Sequence, residues 1–192
     1  MIDYIRGQVA ELTPTFVVID CGGVGYQINI TLLDYSELSS ASDVKLFVHE
    51  SIREDAHLLF GFISKRTREM FRLLIGVSGV GPNTARLILS GLSSAQLEDA
   101  IASENVSALK AVKGIGARTA QRIIVDLKDK ISVDSSSVAG VAPSSEAFED
   151  SKAALVMLGY ASAQSEKVLR KLFAATPGLT VEQAIKQALT ML

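Results

Sequence analysis

Two nine-residue stretches carry glycines, β-branched residues and a threonine in one register: Val77-Ser-Gly-Val-Gly-Pro-Asn-Thr-Ala85 and, 35 residues on, Val112-Lys-Gly-Ile-Gly-Ala-Arg-Thr-Ala120. The match extends to Leu74/Leu109 and Ile88/Ile123, so one small unit is present twice. Two glycines flanking one apolar residue let the backbone turn sharply while Val80 or Ile115 points inward and anchors the turn. Each copy therefore reads as helix, glycine hairpin, helix. The turn amides face outward, and the helix that starts directly afterwards adds unpaired N–H groups and its positive dipole end, which together make a pocket for a phosphate oxygen. Such a pocket holds a nucleic-acid backbone without reading base edges, and two of them side by side can grip both strands of a duplex.

A lone Gly-x-Gly between helices is ordinarily a plain connection, and the duplication is what sets this one apart. Nucleotide-binding loops fit worse. Gly76 to Gly81 has Walker spacing, but Pro82 and Asn83 stand where that loop needs Lys and Ser/Thr, and neither repeat supplies the third glycine of Gly-x-Gly-x-x-Gly.

The net charge of −2 hides an asymmetry. Residues 1–63 hold 3 basic against 9 acidic side chains, residues 64–131 hold 11 against 6, and residues 132–192 hold 5 against 6. The basic excess coincides with the repeat: Lys113, Arg118 and Arg122 cluster around the second hairpin and Arg86 follows the first, as phosphate contacts require.

The elements that must position these groups follow from periodicity. Tyr4–Leu12, Phe16–Asp20, Tyr26–Ile30, Val44–Ser51 and His57–Phe62 read as short strands, separated by turn signals at Cys21-Gly-Gly and by a polar stretch from Asp34 to Ser42. Five strands at this length suggest an oligonucleotide-binding (OB)-like closed barrel over residues 1–63, whose acidic balance suits subunit packing or repulsion of DNA at chosen points. Its Arg53-Glu54-Asp55 turn reads by itself as a solubilising hairpin tip, and one adjacent carboxylate pair falls short of a two-metal site.

Residues 64–131 form an all-α domain with the paired hairpins, and the Ser-, Ala- and Gly-rich residues 132–145 a flexible tether. Residues 146–192 read as three short helices, Glu146–Leu158, Ser162–Ala174 and Thr180–Leu192, around a core of Ala154, Leu155, Leu158, Val168, Leu169, Leu172, Ala184, Ile185 and Leu189. The fold class is thus multidomain α+β. With 192 residues and 48% hydrophobic content the chain can bury a real core. The single Cys21 forms no internal disulfide, no Cys cluster or His-x-x-x-His pair suggests zinc, and nothing calls for a cofactor. The sequence lacks a signal peptide and any apolar run near the roughly 20 residues that cross a bilayer, which fits a cytoplasmic protein.

The ordered set of barrel, paired helix-hairpin-helix motifs, tether and three-helix tail resembles the RuvA family, the Holliday-junction-binding subunits of bacterial branch-migration complexes. The resemblance spans essentially the whole chain, most specifically at Gly22-Gly-Val-Gly-Tyr26, Arg53-Glu-Asp-Ala-His-Leu-Leu-Phe-Gly61, Gly79-Val-Gly-Pro82, Leu89-Ser-Gly91, Gly114-Ile-Gly116 and Leu158-Gly-Tyr160. It implies a homotetramer, sometimes paired into an octamer, that holds a four-way DNA junction open during homologous recombination and DNA repair. It implies that Glu54 and Asp55 are acidic pins at the crossover, and that Ser78, Gly79, Gly81, Gly114, Gly116, Arg118 and Arg122 hold phosphates. Asn83 and Ala117 depart from the lysines that relatives often carry, which shifts affinity toward the amides and makes the salt dependence shallower. The tail would bind RuvB, the hexameric ATPase motor, with Leu158 and Tyr160 as candidate contacts, and a RuvC-type resolvase would be a separate protein. On this resemblance the chain is an accessory subunit with no catalytic residue, metal or membrane contact of its own. Two other functions compete: a helix-hairpin-helix module for ordinary duplex DNA, and a magnesium-dependent junction nuclease using Glu54 and Asp55.

Overall fold

Strands β1 (Tyr4–Leu12), β2 (Phe16–Asp20) and β3 (Gly25–Asn29) form an antiparallel meander that is followed by helix α1 (Leu32–Leu38), then β4 (Asp43–Ile52) and β5 (His57–Phe62). The sheet closes as β1-β2-β3-β5-β4, with β3 and β5 parallel through Ile28↔Leu59 and Asn29↔Phe60. The computed structural model describes residues 1–135, 143–176 and 178–192. Alternation decides which side of each strand is inside: Val17 and Ile19 on β2 and Val44, Leu46 and Val48 on β4 are buried. The interior is tight enough that a Cβ at Gly61 would lie 2.5 Å from Ile28 Cγ2. Helix α1 occupies part of the stretch from Asp34 to Ser42 that reads as a polar turn. The Thr31 hydroxyl caps it by accepting from the Asp34 amide at 3.0 Å, and Asp34 in turn accepts from the Ile63 amide at 3.1 Å. Burial pushes the Asp34 carboxyl above its usual range, against the hydrogen bonds it receives.

Helices α2 (Lys65–Ile75), α3 (Pro82–Gly91), α4 (Ser94–Ala102), α5 (Val106–Lys110) and α6 (Ala117–Ser135) follow. The boundary expected at residue 63 crosses no seam. Phe60 and Phe62 on β5 pack into the helical core, with ring centroids 5.2 and 5.0 Å from Phe71 on α2. Beside them the buried Arg68 guanidinium donates to the Asp3 carbonyl at 2.8 Å and to its carboxylate, and lies over the Phe47 ring. Barrel and helices form one compact unit, Met1–Asp134.

A second unit, Ser135–Leu192, contains α7 (Pro143–Met157), α8 (Ser162–Ala175) and α9 (Val181–Leu189). Of the tether expected over residues 132–145, residues 136–142 lie outside the described residues, while α6 runs to Ser135 and α7 begins at Pro143, so both flanks are helical. Leu155, Leu169, Leu179, Ala184 and Ala188 make the core of this unit, with Phe148 edge-on to Phe173. Two core expectations are corrected. Leu158 is 60% exposed because α7 ends in a turn at Gly159 (φ 99°), which sends the Tyr160 amide back to the Leu155 carbonyl. Leu189 is exposed because α9 turns Ala184 and Ala188 inward instead.

Candidate nucleic-acid interface

From Val77 to Ala85 and from Val112 to Ala120 the two hairpins repeat the same turn hydrogen bonds. The Val77 amide donates to Leu74 O at 3.0 Å and that of Val112 to Leu109 O at 3.2 Å; Val80 donates to Val77 O at 3.0 Å and Ile115 to Val112 O at 3.1 Å. Ala85 and Ala120 then donate to the carbonyls of Gly81 and Gly116, at 2.9 and 3.0 Å, and start α3 and α6. Gly79 and Gly114 have φ of 89° and 92°, a conformation that side chains resist, while Val80 and Ile115 are buried as plugs.

Gly81 and Gly116 need glycine for neither reason. Neither takes a left-handed φ, and a Cβ at either would meet nothing within 4 Å. Gly81 caps α3 without a side-chain acceptor. Among the described residues, the amides of Gly79, Gly81, Gly114 and Gly116 have no hydrogen-bond acceptor. Both turns thus offer unpaired donors on exposed glycines at a helix N-terminus, which is what an incoming phosphate oxygen requires.

One arginine joins the two turns. Arg122, in the second turn of α6, donates through Nη1 to Ser78 O at 3.1 Å and faces Ser78 Oγ at 3.3 Å, so the second repeat holds the first hairpin directly. Lys113 and Arg118 stand exposed at the second hairpin. Arg86 faces elsewhere: its Nη1 donates to the carbonyls of Thr15 (2.7 Å) and Ile30 (3.5 Å), and burial lowers its pKa. Helical rotation from Pro82 carries that side chain to the barrel, where it braces α3 against the residue before β2 and the residue after β3. The phosphate contact read from its place in the sequence is replaced by a structural one.

On the barrel, Glu54 and Asp55 are exposed at the tip of the β4–β5 hairpin, which the Arg53 amide closes onto Ala56 O at 2.8 Å. At its root Glu50 accepts from the Ile2 amide at 2.8 Å and lies 3.3 Å from His57 Nε2; chiefly the amide bond holds its carboxyl below the usual range. Among the described residues no group of three or more His, Cys, Asp or Glu side chains is placed to hold a metal ion, and no helix is long and apolar enough to cross a membrane.

Family models match along the chain: "RuvA N terminal domain" over residues 1–61, "SAM-like Helix-hairpin-helix tandem" over 71–129 and "RuvA, C-terminal domain" over 146–192. Full-length relatives are similar as well. The chain is 51% identical over 201 residues to the Holliday junction branch migration complex subunit RuvA of Bacteroides thetaiotaomicron, with all of both chains covered. It is 51% identical over 197 residues to the protein of that name from Parabacteroides distasonis, again with all of both chains covered, and 45% identical over 190 residues, 98% of each chain, to that from Flavobacterium psychrophilum. This chain belongs to the RuvA family.

In this RuvA-family chain Asn83 and Ala117 lie exposed at the starts of α3 and α6, beside the open amides. In its RuvA C-terminal domain Leu158 is exposed and Tyr160 half-buried against the core. Sequence reasoning missed the Arg122–Ser78 tie, because the partners lie 44 residues apart, and the core shared through Phe60 and Phe62. The even pairing of Phe60 and Phe62 along β5 is the one sequence signal that the outer face of the barrel is covered.

Proposed function

We propose that this chain is the junction-binding subunit of a branch-migration complex. It holds a four-way DNA junction open and recruits the RuvB ATPase, which supplies the motor activity in recombination and repair. The observation that carries this function is the pair of equivalent amide pockets, each open to solvent and joined through Arg122, which suits two phosphates rather than base edges. Ser78, Gly79, Gly81, Lys113, Gly114, Gly116 and Arg118 line the grip, and Arg122 spaces it. Glu54 and Asp55 stand apart from the grip at an exposed tip, where their charge drives phosphates away from the crossover. A homotetramer or octamer places several such tips together, residues 146–192 with Leu158 and Tyr160 dock RuvB, and a RuvC-type nuclease resolves the junction in the cytoplasm.

The test is a mobility shift with a synthetic four-way junction against a linear duplex of the same length, at about 0.1 M salt so that general phosphate attraction is screened. Strong preference for the junction in a multi-subunit complex is the expected result. Equal binding to both DNAs leaves a general duplex-binding module, and cleavage of a labelled junction by this chain alone with magnesium identifies a nuclease.

A further inference from the structure

The β4–β5 hairpin carries more than its acidic tip. Its register pairs Ile52 with His57, immediately before and after the turn of residues 53–56. Cross-strand partners share one face of a hairpin, with Cβ atoms about 5 Å apart. Both are open: Ile52 is 70% exposed and the His57 side chain 55%. An isoleucine so exposed contributes little to the barrel. The imidazole is oriented by Glu50, whose largely buried carboxylate lies 3.3 Å from Nε2 and is fixed by the Ile2 amide. A flat ring in a set orientation and an aliphatic wedge therefore sit side by side under two carboxylates.

The charge decides what can lie there. Glu54 and Asp55 outnumber Arg53, so the tip repels phosphates, and only an uncharged part of a nucleic acid gains by approaching its flank. Imidazole faces stack on unpaired bases, and isoleucine is among the side chains that insert between base steps. We propose that His57 and Ile52 form a seat for an unstacked nucleobase at the junction crossover, so that the tip turns phosphates away while its flank holds the freed base. This rests on the junction-binding function proposed above and adds a ligand contact to it.

The test uses the full-length chain and a synthetic four-way junction with 2-aminopurine at the crossover, whose fluorescence rises when the base leaves the stack. The parent protein is expected to raise the signal, and Ile52→Ser and His57→Ala to cut that rise at least twofold. His57→Phe, which keeps a flat ring without the bond to Glu50, restores it, as a merely structural role for that bond does not. Val24→Ser, an exposed substitution in the β2–β3 turn, retains the parent rise and serves as the control. An undiminished rise in both Ile52→Ser and His57→Ala overturns the seat and leaves junction binding standing. So does a change in subunit number in either variant by sedimentation, which assigns the pair to contact with a second copy of the chain. A parent that binds the junction without any rise overturns both the seat and opening of the crossover, and a parent without junction preference overturns the proposed function itself.

Discussion

Gly114 and Gly116 lie two residues apart in one hairpin, yet alanine should act on them in opposite ways. At Gly114 the backbone has φ of 92°, and a Cβ there costs about 1–2 kcal/mol of folding free energy. For a unit of this size that is a fall in melting temperature of roughly 3–10 °C. At Gly116 the backbone lies outside the left-handed region and the new methyl meets no atom within 4 Å. Narrowing of the unfolded ensemble and loss of glycine's preference at a helix start nearly offset each other, so stability changes by less than about 0.5 kcal/mol. The same methyl stands on the residue that carries one of the open amides, where it crowds an incoming phosphate oxygen. Loss of one hydrogen bond to a charged phosphate is worth about 1.5–3 kcal/mol, a ten- to hundredfold weaker complex. Thermal unfolding by circular dichroism and titration of a labelled four-way junction at fixed salt separate the two effects. Parent-like junction affinity in Gly116→Ala refutes the amide pocket, and early melting of that variant shows that the glycine serves the fold instead.

Arg86→Ala is expected to lower stability by about 1–2 kcal/mol through the lost bonds to Thr15 and Ile30, and to leave the slope of log affinity against log salt unchanged; a slope shallower by about one unit would make Arg86 a phosphate ligand after all. The paired change Glu54→Gln with Asp55→Asn removes repulsion at the tip, so junction affinity rises and permanganate reactivity of crossover thymines falls; weaker binding contradicts this role. Glu166 bonds to Lys152 and Arg170, which hold its pKa at about 2 against an ordinary 4.5. Its folded pKa is the lower one, so its stabilisation is complete above about pH 4.5 and is lost as pH falls toward 2. Protection factors of amides in α7 and α8, corrected for the intrinsic pH dependence of exchange, should fall across that window in the parent and change less in Glu166→Gln.

The hairpins and strands were legible because each depends on short-range chemistry. Gly79 and Gly114 announce a positive φ, and the β-branched apolar run Phe16–Ile19 between turn signals announces a strand. Helix α1 was not legible, because its seven residues are held by Thr31 and by the Asp34 bond to Ile63, 29 positions away. Arg86 was misassigned for a related reason: nearness in sequence to a hairpin does not fix the direction of a side chain on the helix that follows. In the second unit the 3.6-residue period left Leu189 and Ala188 as rival inward positions. Close helix packing chose the smaller residue, as it did at the fully buried Ser151 and Ser165, whose hydroxyls donate to backbone carbonyls four residues back. The proposed grip residues Ser78, Gly81 and Gly116 could be nominated from the repeat, but the link from Arg122 to Ser78 exists only in three dimensions.

Strand β5 begins beside the acidic tip at His57 and ends at Phe62, locked with Phe60 against Phe71 of the helix that leads into the first hairpin. Those five residue steps span about 17 Å of extended backbone, among the least extensible material a polypeptide offers. A load applied at the first hairpin therefore reaches the base of the tip through helix α2, the packed rings and the extended strand β5. On the proposed function, hairpins and tip are the two ends of one stiff lever, and a displacement of a bound DNA arm is passed to the tip as a displacement of its own.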